Sequence, residues 1–419
     1  MRVGVLGSGG REHALAWRLA QDRDAESVVV LPGNGGTENR VSVSPTDPED
    51  VAAACGRLGL DLLVVGGEEP LAAGVVDRLA ATSTLVFGPT SRGARLESSK
   101  LWAKAFMERH GIPCAARARV ESAADVESAA ARWGGRIVVK ADGLAAGKGV
   151  VVCDSATDAR AAWEELERRR PRGEELFAEE RLTGWEVSVL CLTDGRSYHL
   201  FPPARDHKRA FDGDTGPNTG GMGAFSPVPG FGDDAAEVVR RRVLEPTLAG
   251  LRAEGIEYRG FLYLGLMMTD DGPKVLEYNA RLGDPEAEVL LPLVRGNLCG
   301  VMASCCRGTW DGAGLSAEDG FALDVVLAAG GYPGASTTGQ AIAGLNDVDP
   351  DVLVFHGATR REGDRLVTSG GRVLHVVAVG GTLDEAAERA YRNVDRIRFT
   401  GAHARRDIGR RRTCYASPC

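Results

Sequence analysis

Residues 137–152 read IVVKADGLAAGKGVVV, and residues 274–288 read KVLEYNARLGDPEAE. The first stretch sets two apolar β runs around a glycine-broken turn, with Lys140 closing the first run and Lys148 riding on the turn. Gly143, Gly147 and Gly149 remove side chains there, so backbone amides can close over a phosphate chain and the loop can seal a site against water. The second stretch spaces Glu277 and Asn279 two apart on an expected strand, which puts a carboxylate and an amide on one face. Hard oxygen ligands at that spacing suit Mg²⁺ bridging nucleotide phosphates. Arg281 follows on the same face and can hold a carboxylate or a phosphoryl group in a fork. Taken singly, a glycine hairpin with solvated lysines and a surface strand account for these stretches. Together they are the cations and oxygen ligands an ATP-dependent enzyme must supply.

Upstream, VGVLG (3–7), VVVLP (28–32), DLLVVGG (61–67) and TLVFGP (84–89) read as strands, with helical stretches at 11–20 and 75–81. This βαβ pattern predicts a doubly wound, Rossmann-like parallel sheet whose ligand edge is the carboxyl ends of the strands. GSGGREHA (7–14) mimics a dinucleotide fingerprint, but Glu12 stands at the third glycine position and no acidic residue cleanly ends the second strand. A nicotinamide site is therefore disfavoured. The second strand ends instead in Pro32-Gly33-Asn34-Gly35-Gly36, and two adjacent glycine turns at strand ends suit a phosphate.

A helix is expected from Lys100 to about His110, and Ser122-x-x-Asp125 and Ser155-x-x-Asp158 read as helix starts. They bracket the strand-turn-strand of 137–152, predicting a small two-helix lid subdomain at about 113–185. The run Glu179-Glu180-Arg181-Leu182 follows a β run, with Glu186 beyond it. A carboxylate and backbone groups at such a hinge can read a purine's exocyclic amine, and the second acid can hold ribose hydroxyls; an acidic helix start is the plainer alternative. RDHKRAFDGDTGPNTGGMGAFSP (205–227) is polar and glycine-rich, a kind of segment kept for function or mobility. From 321 onward, strands joined by tight turns precede a helix capped by Thr382-x-x-Glu385, with Ala387, Ala390, Tyr391 and Val394 as its apolar stripe. The expected domains are 1–100, 101–308 and a small, separate α+β unit at 309–419.

A chain of 419 residues exceeds a single core. The net charge of −8 argues against a nucleic-acid partner. No apolar run approaches the ~20 residues that span a bilayer, and no signal segment opens the chain, so a cytoplasmic enzyme without membrane or nucleic-acid partners is expected. Nine scattered cysteines without a CxxC pair read as free thiols.

Over essentially its whole length the chain resembles the glycinamide ribonucleotide synthetase family, ATP-grasp ligases of purine biosynthesis. The resemblance rests on GSGGREHALAW, PGNGGT, KADGLAAGKGV, DHKR, DTGPNTGGMGAFSP, RLGDPEAE, AAGGYPG and TSGGRVL, with RLGDPEAE and GPNTGGMGA the most specific. It implies a Rossmann-like domain, a two-part ATP-grasp domain and a small C-terminal α+β domain. It implies ATP and Mg²⁺ (or Mn²⁺) as cofactors, and glycine and 5-phosphoribosylamine as substrates joined through glycyl phosphate. By that resemblance Lys100, Lys140 and Lys148 meet ATP phosphates, Glu179 and the Leu182 backbone meet adenine, and Glu186 meets ribose. Glu277 and Asn279 hold the metal, and Arg281, with Lys148, acts on the transferring group. Gly9, Gly10, Gly33, Asn34, Gly35, Asp206, His207, Lys208, Asn218, Thr219, Gly220, Gly221 and Asp284 face the substrates. A monomer is expected. Two departures stand out. Trp185 replaces the first of an acidic pair before the ribose, and Leu264-Gly265-Leu266 lies where many ATP-grasp enzymes carry another metal carboxylate. Another ATP-grasp carboxylate–amine ligase is the nearest alternative.

Overall fold

The structure, a computed structural model, describes residues 1–144, 149–171 and 173–410. The chain opens with β1 (Arg2–Gly7), α1 (Gly10–Leu19), β2 (Ser27–Pro32), α2 (Pro48–Leu58), β3 (Leu62–Val65), α3 (Glu68–Ala72), α4 (Val75–Leu79) and β4 (Leu85–Phe87). The strands run parallel in the order β2-β1-β3-β4. Val3, Val5, Leu62 and Val64 are fully buried, as strands covered on both faces require. The doubly wound reading therefore holds. Helix α2 was not anticipated, although its signals are local: Asp47 accepts from the Glu49 and Asp50 amides, Pro48 opens the helix and Gly59 closes it in the left-handed region.

α5 (Ser91–Ser98) and α6 (Lys100–Arg109) lead into the lid: β5 (Arg117–Arg119), α7 (Ala123–Arg132), β6 (Ile137–Ala141), β7 (Val150–Cys153), α8 (Ala156–Arg169) and β8 (Leu176–Glu180). Its antiparallel sheet, β5-β8-β6-β7, carries both helices over a core of its own that includes Val126, Ile137, Val139 and Leu166. The expected caps are present: the Ser122 and Ser155 hydroxyls accept from the Asp125 and Asp158 amides.

Next come β9 (Trp185–Thr193), β10 (Tyr198–Leu200), β11 (Arg205–Asp206), β12 (Arg209–Phe211), β13 (Thr215–Asn218), β14 (Gly223–Ser226), α9 (Asp233–Val239), α10 (Glu245–Ala253), β15 (Gly260–Thr269) and β16 (Gly272–Asn279). β10-β9-β15-β16 form the large antiparallel sheet of this unit. α11 (Glu286–Leu290) and α12 (Leu298–Arg307) follow, the latter between paired β17 (Val294–Gly296) and β18 (Leu315–Ala317). The chain continues through β19 (Phe321–Ala328), β20 (Leu353–His356), β21 (Thr359–Glu362), β22 (Arg365–Thr368), β23 (Arg372–Gly380) and α13 (Leu383–Val394).

The C-terminal α+β unit takes part of its sheet from the central one. Its sheet runs β11-β14-β19-β23-β20, so two strands come from the polar 205–227 segment. That segment is folded because its backbone groups find partners on β19. One apolar cluster joins Phe106 and Leu262 of the central unit to Leu323, Val376 and Tyr391 of the C-terminal one. No helix among the described residues is long and apolar enough to cross a membrane.

Candidate active site

Glu277 and Asn279 lie on β16 at its junction with the lid. Directly across from Glu277 on β15 is Gly265, where a Cβ would stand 2.9 Å from Glu277 Cγ. The stretch that lacks an expected acid thus makes room for one. The hydrogen-bond network turns the Asn279 amide nitrogen to the Tyr278 carbonyl (3.0 Å) and to Glu97 Oε1 (3.1 Å). Asn279 Oδ1 is then free to ligate a cation, and the pair is a hard oxygen donor set that fits Mg²⁺.

Lys100, in the first turn of α6, donates from Nζ to the Gly143 carbonyl (2.6 Å) at the mouth of the glycine turn. The same turn grips the helix start, because Asp142 accepts from the Ser99 hydroxyl and the Leu101 amide (3.1 Å each). Burial holds the Lys100 ammonium below the usual lysine range, with Glu277 the largest opposing charge. Lys140, on β6, lies 2.7 Å from Glu179 Oε2, and Lys104 lies 2.8 Å from Glu179 Oε1. Lys148 lies outside the described residues.

This corrects the expected role of Glu179. Its carboxylate is buried between two lysines and is not open to a purine amine; it fixes the Lys140 side chain from behind. Leu182 remains half-buried at the hinge, and Glu186 opens β9 with an exposed side chain 3.7 Å from Lys208 Nζ. Lys208 also lies 3.0 Å from Asp206 Oδ2, and its contact with Glu186 joins β9 to the DHKR segment.

Arg281 is likewise committed within the chain. It lies 2.7 Å from Glu97 Oε1 and 3.1 Å from Glu68 Oε2, so its fork grips protein carboxylates in place of a substrate group. Glu97 is the centre of this arrangement, since its Oε2 also accepts from the Ala280 amide (2.7 Å). Burial pushes its carboxyl up to about 7 against the pull of Arg281.

The two N-terminal glycine turns prove to be a seam. The Gly9 amide donates to Glu12 Oε2 (2.6 Å), so the anion at the start of α1 comes from the chain itself. Asn34 is buried and saturated: Nδ2 donates to the carbonyls of Ser8 (2.9 Å) and His356, and Oδ1 accepts from Gly36 (3.0 Å). The Gly35 amide donates to the Thr359 carbonyl (3.0 Å), and Gly33 sits at φ +73° beside Thr37. Gly10 abuts Glu288 and His375. Of the glycine-turn residues expected at the substrates, Gly10, Asn34 and Gly35 contact the C-terminal unit, whereas Gly9 and Gly33 are packed against Glu12 and Thr37 of the N-terminal one.

The second glycine-rich segment stays at the cleft. Thr219 donates from its amide (2.7 Å) and hydroxyl (2.8 Å) to the Lys208 carbonyl, and Asn218 is exposed. Gly221, at φ +120°, passes so near Pro285 that a Cβ would meet Cδ at 2.4 Å. Arg372 ties these parts together, donating to the carbonyls of Gly220 (2.9 Å) and Asp284 (2.7 Å) and lying 2.9 Å from Asp284 Oδ1. Burial would raise the Asp284 carboxyl, but Arg372 and His375 outweigh it and hold it at about 2. His207 is pushed down to about 4 by burial and then by Arg405, so its ring is neutral near pH 7. Behind them a buried relay runs from Tyr263 OH to Ser188 Oγ (2.9 Å) to Glu286 Oε1 (2.9 Å).

Sequence reasoning missed Glu97, Glu68, Lys104 and Arg372. Glu97 lies three residues before Lys100, and Arg372 lies inside the block TSGGRVL, but their partners are distant in sequence. The seven described cysteines are all free.

Three profiles of phosphoribosylglycinamide synthetase match in order: the N domain at 1–97, the ATP-grasp (A) domain at 98–287 and the C domain at 322–411. The phosphoribosylamine–glycine ligase of Chlorobaculum tepidum is 45% identical over 98% of this chain and 99% of its own. The trifunctional purine biosynthetic protein adenosine-3 of Gallus gallus is 46% identical over 99% of this chain, which spans 43% of that protein. The crystal structure of phosphoribosylamine–glycine ligase from Thermotoga maritima superposes with a TM-score of 0.83 at 37% identity, covering 97% of this chain and all of that one. The biotin carboxylase domain of Hydrogenobacter thermophilus 2-oxoglutarate carboxylase, solved with MgADP, shares the fold alone (TM-score 0.70, 14% identity, 96% and 91% coverage).

Proposed function

This chain belongs to the phosphoribosylglycinamide synthetase family, and from that membership we propose how its cleft divides the work of an ATP-dependent ligase. The enzyme joins glycine to 5-phosphoribosylamine, giving glycinamide ribonucleotide, ADP and phosphate in purine biosynthesis. A free carboxylate resists amines because its leaving group is poor. Attack of a glycine carboxylate oxygen on the γ-phosphorus of ATP releases ADP and leaves glycyl phosphate. The phosphoribosylamine nitrogen then attacks that carbonyl carbon, phosphate departs, and the surplus amine proton goes to solvent. No protein nucleophile is assigned. The protein's part is positioning and charge neutralisation.

Lys100 and Lys140 neutralise ATP phosphates, and Lys148 adds a third cation from the glycine turn. The Leu182 backbone meets adenine and Glu186 the ribose. Glu277 and Asn279 hold Mg²⁺, with Mn²⁺ as the alternative, and the ion when bound offsets charge on the phosphates. Arg281 acts on Glu97 and so steadies the ligand strand. Asp206, His207, Lys208, Asn218, Thr219, Gly220, Gly221 and Asp284 receive glycine and phosphoribosylamine, with the neutral His207 ring as a hydrogen-bonding partner. We place the enzyme in the cytoplasm as a monomer.

The observation that carries this reading is Asn279: its nitrogen is anchored on Glu97, which turns its oxygen away from that contact, on the strand face it shares with Glu277, whose charge acts on Lys100. The test is ADP release from MgATP with glycine and phosphoribosylamine supplied together or separately. Full turnover is expected only with both, and release indifferent to them would remove the ligase reading. Glu277→Ala is expected to lower turnover by about 10²–10³ with the fold intact; near-normal rates with Mg²⁺ as sole metal would refute the ligand assignment.

A further inference from the structure

Where α1, α11 and the C-terminal sheet meet, four ionisable side chains are shut in together. Asp284 precedes α11, Glu288 lies on it, Asp324 is on β19 and His375 on β23. Glu288 and Asp324 are 0% exposed and His375 1%. His375 Nδ1 is 2.8 Å from Asp324 Oδ2 and 3.8 Å from Glu288 Oε1, and Nε2 is 3.7 Å from Asp284 Oδ1. Only a glycine fits at the start of α1, since a Cβ on Gly10 would lie 2.6 Å from Glu288 Oε1 and 2.7 Å from His375 Nε2.

Acidic residues crowd many protein surfaces without binding anything. Here the independent observation is Glu288. Among the described residues neither of its buried carboxylate oxygens has a hydrogen-bond partner, nor have Asp324 Oδ1 and Asp284 Oδ1. A buried carboxylate left without donors is strongly disfavoured unless a cation or a proton meets it. Arg372, 2.9 Å from Asp284 Oδ1, compensates one of these charges, and the His375 ring, raised to about 9 against its burial by Asp324 and Glu288, is shared among the rest at 3.8 Å from Glu288 without a hydrogen bond to it.

We propose that Asp284, Glu288 and His375 bind a divalent transition-metal ion, at a site separate from the Glu277–Asn279 pair. One ligand atom from each lies within 4.8 Å of the others. Metal–ligand bonds of about 2.1 Å draw such atoms closer than that, so a small contraction accompanies binding. Asp324 supplies what a ligating histidine needs. It accepts the Nδ1 hydrogen bond, so the arriving ion displaces only the proton on Nε2, which faces the Asp284 side. One imidazole with two carboxylates selects Zn²⁺, Mn²⁺ or Fe²⁺ over Ca²⁺ and Mg²⁺. Asp284 is the partly exposed member, so entry is from the cleft. The bound ion fastens the RLGDPEAE turn to β23.

The test uses the full-length protein, stripped with a chelator and titrated with Co²⁺ in the absence of nucleotide. One equivalent is expected, with visible d–d absorption, no thiolate charge-transfer band and a raised melting temperature. Glu288→Gln and His375→Gln are each expected to weaken uptake by at least about tenfold and to lose the metal-dependent melting shift. Glu277→Gln is expected to retain the equivalent. The wild-type spectrum is decisive even if a variant folds poorly: no stoichiometric uptake, or a thiolate band, overturns the proposal. Unchanged affinity in both folded variants does so too.

Discussion

At the scale of single residues, the Glu277–Asn279 pair proposed to hold Mg²⁺ could be read because its spacing is local. Two positions apart on a strand means one face, whatever the rest of the chain does. Glu97 was not legible, because its contact with the Ala280 amide joins positions 183 apart. Yet Glu97 holds three consecutive residues in register: the Asn279 amide, the Ala280 N–H and the Arg281 guanidinium. Glu97→Gln keeps the shape but loses the charge that Arg281 answers, and it can present an amide nitrogen where Asn279 must donate. The expected result is a fall of about 10–100-fold in kcat/KM, recovered in part at high Mg²⁺, with the circular dichroism spectrum unchanged. A variant with wild-type Mg²⁺ dependence would show that Glu97 is only packing. The Arg281 fork read from sequence is real, but it closes on carboxylates of its own chain because Glu68 and Glu97 reach it first.

Among elements, the helices that announced themselves did so through caps. Ser122, Ser155 and Thr382 each accept the amide three residues on, and Glu385 completes the box at the last. Helix α2 has an equal cap in Asp47-Pro48 and an apolar face of Val51, Ala54, Cys55 and Leu58, but a face built largely of Ala and Cys stands out little in the sequence. Strand pairing was the harder part: nothing in RDHKRAFDGDTGPNTGGMGAFSP says that its C-terminal end will pair with a strand a hundred residues on. Two element-level predictions follow from these contacts. Gly265→Ala places a methyl against Glu277 across the β15–β16 ladder; overpacking of this kind costs about 1–3 kcal/mol, and it is expected to appear as a higher Mg²⁺ requirement. A Mg²⁺ titration identical to wild type would mean the strand yields freely. The second concerns the seam between α1 and β20, where the His356 amide donates to His13 Nδ1 (2.9 Å). Burial, then His375, pushes His13 down to about 4; burial, then His13 and Arg361, pushes His356 to about 3. The unfolded chain takes up these protons near 6.5, whereas the folded one resists until about 4. The stability from a neutral seam is therefore complete above about 6.5 and drains away as pH falls toward 4. Glu97 and Glu286, both raised to about 7, act in the opposite sense, so the seam is read by difference. The gap in urea midpoint between wild type and His13→Asn should narrow from pH 7 to pH 5, and a constant gap would rule the assignment out.

For the whole molecule, the question is whether the C-terminal unit is an appendage or part of the enzyme's frame. A domain is normally expected to hold its own core and be separable at a linker. Here β14 pairs with β19 over Gly223 to Ser226, and β11 hangs on β14. The apolar cluster runs without a break from Phe106 and Leu262 into Leu323, Val376 and Tyr391. Arg372, on the C-terminal strand β23, holds the Gly220 and Asp284 carbonyls at the cleft. Cutting the chain after residue 308 would thus leave β14 with an open edge and strip one side of the cluster. It would also free the loops at Gly220 and Asp284 from Arg372. Exposed strand edges and apolar surface favour association over refolding. A 1–308 fragment is expected to aggregate or to lose near-ultraviolet circular dichroism, while the intact chain melts without an early step that releases residues 309–410 alone. Co-expression of 309–419 with the fragment is expected to restore a soluble complex, because the pairing between β14 and β19 needs no covalent link. A monomeric 1–308 fragment melting cooperatively within a few degrees of the full chain would show instead that β11 and β14 are borrowed strands that the central unit can do without.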